Sequence, residues 1–464
     1  MTHIHFIGIG GSGLSAIARL LLESGYTVSG SDRALTPFAD EVRKAGATVY
    51  VGHHPRNIAN ADSVVISSAI SADNPEIQAA RRSNIPVYKR ADFLGQLMAE
   101  KKGIAIAGTH GKTTTTAMTA WVLTELGRDP SFIAGGVLNN LGVNAHAGKG
   151  NAFVIEADEY DNMFLGLKPQ IAVVTSLEHD HPDMFPTFEA MYAAFEKFVK
   201  LLPEDGTLIV SAEDAGALTL LPPARRRGIN IVGYYIQNEN TISSPYWVMA
   251  REVKSNKRGG FDFVVSSNLG AMGLDSVEVS LQVPGRHNVR NALAVFAIIE
   301  LLGLSAEKAA EALGKFTGTG RRFQLRGEPN GISIFDDYAH HPTEIKATLE
   351  GARARYPQRR IWAVWQPHTY SRTQTLFLEF ARAFKDADEV IVTEVYAARE
   401  PKQDFTSAEI VSAMPHLAAR YIGTNSEVTS YLLRSLKPKD VVIVMSAGDA
   451  DQISTDLVKA FQER

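Results

Sequence analysis

The stretch GIAIAGTHGKTTTTAM, residues 103–118, limits the fold more than any other part of the chain. Ile104 to Ala107 form a short apolar strand, Gly108 and Gly111 turn the backbone, and Lys112 opens a helix. Such a turn aims backbone N–H groups and the positive end of the helix dipole at one anion. A strand followed at once by a helix belongs to a parallel sheet with right-handed crossovers. The Lys112 ammonium suits β- and γ-phosphate charge, and the Thr113 hydroxyl suits a magnesium ion. Gly108, Thr109, His110, Gly111, Lys112, Thr113 and Thr114 are therefore expected to bind ATP. Ile106 stands where the longer P-loop pattern has its first glycine, which separates this turn from those of common GTPases and motors.

A second glycine turn opens the chain. In HIHFIGIGGSGLSAIARLL, Gly8, Gly10 and Gly13 follow a strand at G-x-G-x-x-G spacing, and Asp32 lies 19 residues beyond Gly13. In a dinucleotide fold an acid at that distance holds a ribose hydroxyl. The spacing points to an anion, and leaves open a dinucleotide, another nucleotide-bearing ligand or tight turn packing.

The strand–helix pattern starts three times, at residues 3–9, at GIAIAG and at GISIFDDYAHHPTE. At 464 residues the chain is long enough for two to four domains, and three α/β domains in series are expected. Short β-rich runs near 230–285 predict an antiparallel patch on a parallel sheet, and Phe188–Leu202 and Thr373–Phe384 read as helical. The helix after Lys112 is expected to show one apolar face with Met118, Trp121 and Val122.

Composition closes off several classes. The formal net charge of −4 gives no footing for a nucleic-acid partner. With no cysteine, disulfides, zinc–thiolate sites and thiol nucleophiles are excluded. No run of about 20 apolar residues occurs, so no membrane span is expected, and a cytoplasmic location is the simplest reading.

Glu156 ends the strand AFVIEAD, and His181 follows the strand IAVVTSLE, in the region that carries the P-loop. Open α/β sheets bind ligands beyond the carboxyl ends of their strands. Metal-site roles are expected for both, against the plainer readings of a surface acid and a capping histidine.

The set GTHGKTTT, EADEYD, HDHPDMF, PGRHNVRNALA, GTGRRF, DDYAHHPTE and QPHTYSRT, in this order along essentially the whole chain, resembles the Mur ligases. The resemblance implies three α/β domains. These are an N-terminal Rossmann-like UDP-binding domain over residues 1–98, a central P-loop ATPase-like domain over 99–320, and a C-terminal Rossmann-like amino-acid-binding domain over 321–464. It implies ATP-dependent ligation of L-alanine to the lactyl carboxylate of UDP-N-acetylmuramate through an acyl phosphate, an early peptide step of bacterial peptidoglycan synthesis. The partners so implied are UDP-N-acetylmuramate, L-alanine and ATP, with a monomer or weak homodimer. The implied cofactor is Mg2+ at two sites, replaceable by Mn2+.

Carried onto this sequence, the resemblance makes Lys112 the phosphate lysine and Thr113, Glu156 and His181 magnesium ligands. It makes Asn288, Asn291, Arg322 and Asp337 nucleotide contacts; helix capping and turn formation are the plain alternatives for the asparagines and Asp337. The UDP part of the substrate falls to Gly10, Gly11, Ser12, Gly13, Asp32 and Ser68, and the first turn then grips a pyrophosphate. Tyr338, His368 and Arg372 are implied around the amino acid, with Arg372 pairing its carboxylate, and His341, His368 or a magnesium-oriented carboxylate is a candidate to take the amine proton. Some relatives carry arginine where Thr369 stands, and Glu196 lies near the place of a carbamylated lysine in sister ligases. The competing acceptor within the family is a recycled murein tripeptide; Glu344 of HHPTE and the run QPHTYSRT favour alanine.

Overall fold

The computed structural model describes residues 2–67, 69–237, 245–269 and 274–463. Strands are numbered in chain order: β1 (His3–Ile7), β2 (Thr27–Asp32), β3 (Thr48–Val51), β4 (Ser63–Ile66) and β5 (Val87–Lys89) build the first sheet. All neighbours are parallel, in the order β3-β2-β1-β4-β5. The order reverses beside β1, so the turn Gly8–Gly13 opens at the switch point where such sheets bind ligands. Helix Ser12–Glu23 buries Leu14, Ile17 and Leu21 against this sheet, the helical spacing written in the sequence.

The second sheet holds β6 (Lys102–Ala107), β7 (Ser131–Leu138), β8 (Val143–His146), β9 (Ala152–Glu156), β10 (Ile171–Val174), β11 (Thr207–Ser211), β12 (Asn230–Ile236), β13 (Tyr246–Ser255), β14 (Phe261–Ser267) and β15 (Leu274–Ser280). Its order is β15-β14-β13-β12-β11-β10-β6-β9-β7-β8. The P-loop strand β6 is central, pairing in parallel with β9 and β10, so Glu156 and the loop after Val174 emerge beside the P-loop. Pairing turns antiparallel at β13–β14 and β14–β15, the patch foreseen in the sequence.

Helix Lys112–Glu125 departs from the single apolar face expected of it. Thr115, Thr116, Thr119, Ala120 and Leu123 are buried along with Met118 and Val122, because Arg286–Leu301 and Ala306–Gly314 pack over it while the sheet lies beneath. A helix enclosed on both sides needs small or apolar residues all round. The Trp121 indole N–H donates to the Ala312 carbonyl at 2.8 Å.

The third sheet orders β16 (Gln324–Gly327), β17 (Ser333–Asp337), β18 (Ile361–Trp365), β19 (Glu389–Val392), β20 (Ala419–Tyr421) and β21 (Val441–Met445) as β16-β17-β21-β18-β19-β20. Only β16 runs antiparallel among these strands. Trp365 stacks on Phe380 with ring centroids 4.5 Å apart. The helix expected over Thr373–Phe384 is instead two short ones, Tyr370–Thr375 and Phe377–Ala381, broken at Leu376 where φ is −106° and ψ is 28°. The break lets Phe380 reach Trp365 while the first helix turns toward the central domain.

Candidate active site

The P-loop turn is shaped by steric need. Gly111 has φ +82°, and a Cβ there would meet the Asn291 Oδ1 at 2.7 Å. Asn291 and Asn288 therefore brace the turn: Asn291 Nδ2 donates to Asn288 Oδ1 at 3.1 Å, and Asn288 Nδ2 donates to the Pro284 carbonyl at 2.6 Å. Both asparagines, with His287, line a cavity of about 460 Å³ that also takes in Thr113, Thr114, Glu213, Tyr234, Arg322 and Asp337. This cavity lies between the second and third sheets and opens against the helix N-terminus at Lys112.

Lys112 sits among acids. Its Nζ donates to Glu159 Oε1 at 2.9 Å and to the Gly108 carbonyl at 2.5 Å. Burial favours the neutral amine, but Glu159, Asp158 and Glu156 outweigh it and raise the lysine pKa, so Lys112 stays charged. Thr113 Oγ1 donates to Glu156 Oε1 at 2.9 Å, and Gly135 N–H donates to Glu156 Oε2 at 2.6 Å. Burial raises the pKa of Glu156 and pushes Glu159 up to about 7, against the pull of Lys112. Glu159 Oε2 is buried and has no hydrogen-bond partner, and His181 Nε2 lies 3.7 Å from Glu159 Oε1. The two carboxylates and the hydroxyl are hard oxygen donors of the kind that suits Mg2+, with the softer His181 imidazole beside them.

The C-terminal domain closes on this group through Arg372. Its Nε donates to Asp180 Oδ1 at 2.8 Å, its Nη2 is 3.3 Å from His181 Nδ1, and its Nη1 is 3.3 Å from His368 Nδ1. Arg372 and Asp180 side chains are each only 4% exposed. Burial would raise the Asp180 carboxyl, yet the guanidinium holds it well below the usual carboxylate range. Burial, then Arg372, lowers the pKa of His368 to about 4, and burial lowers His340 to about 3. Burial also leads the lowering at His341 and His181. These imidazoles are neutral near pH 7, and the same lowering makes them weak bases.

A second bridge lies at the cavity mouth. His110 Nδ1 contacts Glu344 Oε1 at 3.2 Å and its Nε2 bonds Glu178, while Arg322 Nη1 reaches Glu344 Oε1 at 3.5 Å. Burial disfavours charge on His110, but Glu178 and Glu344 outweigh it and push its pKa up to about 10. His110, Glu178 and His341 present ligand-type atoms within 4.8 Å of one another. A histidine held in its cationic form by two carboxylates reads as an ion-pair bridge. His341 caps helix Pro342–Arg355, its Nδ1 accepting the Thr343 N–H at 3.3 Å.

Some expected residues are engaged elsewhere. Asp337 accepts the Phe323 and Ala339 N–H groups, each at 2.7 Å, and burial raises it to about 6. Tyr338 lies under the guanidinium groups of Arg321 and Arg322, at 5.2 and 5.3 Å from its ring, and meets His340 edge-on, while Arg372 contacts His368. Glu196 pairs with Lys200 on its own helix at 3.1 Å. In the first turn Asp32 Oδ2 accepts the Gly10 N–H at 2.8 Å and its Oδ1 the Arg33 N–H at 2.7 Å. Gly11 and Ser12 are exposed, and Ser68 lies outside the described residues. Arg90 reaches over Gly13 and points to Asp158 of the central domain, 3.7 Å from Asp158 Oδ2. The two glycine turns thus face one cleft.

Sequence reasoning gave no role to Glu159, Glu178 or Asp180, although they stand in the quoted runs EADEYD and EHDHPDMF. Their position after the ends of β9 and β10 was the available signal. Among the described residues no helix is long and apolar enough to cross a membrane.

Residues 3–102 match the Mur ligase family catalytic domain, 106–299 the Mur ligase middle domain, and 321–448 the Mur ligase glutamate ligase domain. The chain is 42% identical to the UDP-N-acetylmuramate–L-alanine ligase of Desulfosudis oleivorans, covering 100% of this chain and 99% of the relative. It is 41% identical to the Renibacterium salmoninarum protein of the same name, covering 98% and 95%. Among solved structures, the UDP-N-acetylmuramate-alanine ligase MurC of Thermotoga maritima matches with a TM-score of 0.79 and 31% identity over 100% of both chains. A murein peptide ligase from Psychrobacter arcticus matches at 0.72 and 26%, over 100% of this chain and 99% of that one.

Proposed function

The chain belongs to the Mur ligase family, and we propose from that premise that it joins L-alanine to UDP-N-acetylmuramate, converting ATP to ADP and phosphate. One observation carries the reading: a run of contacts leads from the phosphate lysine to the C-terminal domain, Lys112 to Glu159, Glu159 to His181, His181 to Arg372, and Arg372 to His368. A phosphoryl-binding group and an amino-acid-binding group are thereby held on two walls of one cleft.

The division of labour follows the three sheets. Residues 1–98 hold the UDP part of the substrate, 99–320 hold ATP, and 321–464 bring in alanine. The first turn, with Arg90 above it, offers N–H groups and a guanidinium to a pyrophosphate. Asn288, Asn291 and Asp337 border the nucleotide cavity, and Lys112 with Arg322 faces the charge that spreads over the transferring phosphoryl group.

A carboxylate is a poor electrophile, so its oxygen first takes the γ-phosphoryl group and ADP leaves. The alanine nitrogen then attacks the acyl carbon, phosphate departs with the C–O bond electrons, and the amine proton passes to a base. His368 is positioned for that last role by its contact with Arg372, the partner proposed for the alanine carboxylate; burial and the guanidinium keep it neutral but lower its basicity. Asp180 takes one edge of Arg372 and leaves Nη1 and Nη2 toward the histidines, where a second carboxylate can approach. Thr113, Glu156 and His181 would hold magnesium, with the unpartnered Glu159 oxygen beside them; when bound, the ion supplies neutralising charge to the phosphates. The reaction is placed in the bacterial cytoplasm, with the protein a monomer or weak dimer.

The test is phosphate release from ATP with UDP-N-acetylmuramate, Mg2+ and a panel of acceptors. L-alanine is expected to support turnover far above glycine, L-serine and the murein tripeptide. Preference for the tripeptide would move the chain to the recycling reaction, whose relative in Psychrobacter arcticus shares the fold.

A further inference from the structure

The helix that carries Arg372 starts from a strained residue. Thr369 has φ +65° and ψ 142°, a backbone state open to glycine and costly for a β-branched side chain. It persists only where surrounding groups over-determine it. Apart from the Thr373 hydroxyl, which donates to the Thr369 carbonyl at 2.6 Å, such groups come from one segment, residues 396–400, which follows β19 in the third sheet.

The segment holds the turn at two levels. Thr369 N–H donates to the Tyr396 carbonyl at 2.9 Å and Tyr396 N–H donates to the Pro367 carbonyl at 2.8 Å, a parallel bridge pairing His368 with Tyr396. The Tyr396 ring stacks on the His368 imidazole, 5.9 Å between centroids and 21° between planes. Beyond the strained residue, the Glu400 carboxylate accepts the Tyr370 N–H at 2.5 Å and the Ser371 N–H at 3.1 Å through Oε2, and the Ser371 hydroxyl at 2.5 Å through Oε1. Thr369 itself makes no side-chain cap for this helix. A carboxylate borrowed from another segment thus satisfies the orphan N–H groups and sits at the positive end of a helix too short to fix itself. Arg372 is one residue past Ser371, and His368 one residue before Thr369.

We propose that Glu400 is a positioning residue of the amino-acid site: by clamping the first turn of Tyr370–Thr375 it holds the strained Thr369 and sets Arg372 and His368 against Asp180 and His181. Glu400 does not line the nucleotide cavity, so its effect is expected on alanine capture. This rests on the reading of Arg372 and His368 as the alanine site.

Glu400→Gln keeps the volume and one acceptor but loses the charge and the paired acceptance; Glu400→Ala loses all of it. Steady-state kinetics with each substrate varied in turn, alongside thermal melting, tests the assignment. Expected are a rise in the KM for L-alanine of about tenfold in Glu400→Gln and more in Glu400→Ala, with KM for ATP and for UDP-N-acetylmuramate within twofold of the parent. Relieving the strain gives an independent arm: with Thr369→Gly in the background, Glu400→Gln should raise the alanine KM less than it does in the parent. Unchanged alanine KM in both Glu400 variants, or equal rises for all three substrates, overturns the proposal. If the parent protein does not turn over L-alanine at all, the function reading itself fails, an outcome visible before any variant is made.

Discussion

The two glycine turns share a backbone device and differ in what surrounds it. At Gly8–Gly13 the helix N-terminus is exposed at Gly11 and Ser12, Asp32 is engaged in the turn, and Arg90 lies above. At Gly108–Thr113 the turn is roofed by the third sheet's domain, and Lys112 is enclosed by Glu156, Asp158 and Glu159. Burial raises the carboxylates and the lysine restrains them, so the site holds a balanced charge pair that an incoming phosphate and metal must rearrange. An open turn suits a handle that is gripped and released. The enclosed one suits charge transfer, where preorganised dipoles in a dry site matter most.

The sharpest way to break this contrast is Lys112→Ala. Ligation is expected to fall by at least about a thousandfold, since the charge facing the transferring phosphoryl group is gone. Titration of the variant with UDP-N-acetylmuramate should still show binding near the parent affinity. Loss of both in a folded variant would mean that the turns do not act separately.

Next in size is Asp180→Asn. It leaves the Arg372 guanidinium buried, at 4% exposure, without its anionic partner. Removing one member of a buried ion pair costs on the order of 3 kcal/mol, and here the arginine also loses its orientation. A fall in kcat/KM for L-alanine of about a hundredfold, with a lower melting temperature, is expected. A variant that melts lower while its alanine kinetics are unchanged would separate the ion pair from the amino-acid site.

How far these features were legible in the sequence depends on how local their cause is. Lys112, Thr113 and the turn glycines announce themselves because strand, turn and helix are contiguous. The parallel order around β6 and the antiparallel patch at β13–β15 follow from alternation and turn residues. The continuous burial of residues 115–123 was not legible, since it comes from a helix that packs on them from residues 286–301. The bridge from His110 to Glu344 spans 234 positions and exists only because two domains meet. Glu400 lies in AAREPKQ, a run with no motif, and gains its place from a backbone bridge between His368 and Tyr396.

The bridge at His110 gives the enclosed turn a dependence on pH. His110 has a folded pKa of about 10, above its ordinary value. A group whose folded pKa is raised contributes stability that is full below the unfolded pKa and is lost as pH rises through the folded one. Between about pH 6.5 and 10 the melting temperature should therefore fall, and His110→Gln should flatten that fall. The same slope in parent and variant would place the alkaline loss elsewhere.

The smallest effect is expected at the open turn. Asp32→Asn retains one acceptor and the shape of the side chain, but sets an amide where a carboxylate met the Gly10 and Arg33 N–H groups. A hydrogen bond to a charged group contributes about 1.5 kcal/mol, so the affinity for UDP-N-acetylmuramate should weaken roughly tenfold. Because Asp32 shapes the first turn and lies outside the nucleotide cavity, ATP affinity should stay within twofold of the parent. Calorimetry with each ligand alone separates the two. A weakening for ATP as large as that for the UDP substrate would mean that the cleft shared through Arg90 and Asp158 couples the turns energetically as well as facing them together.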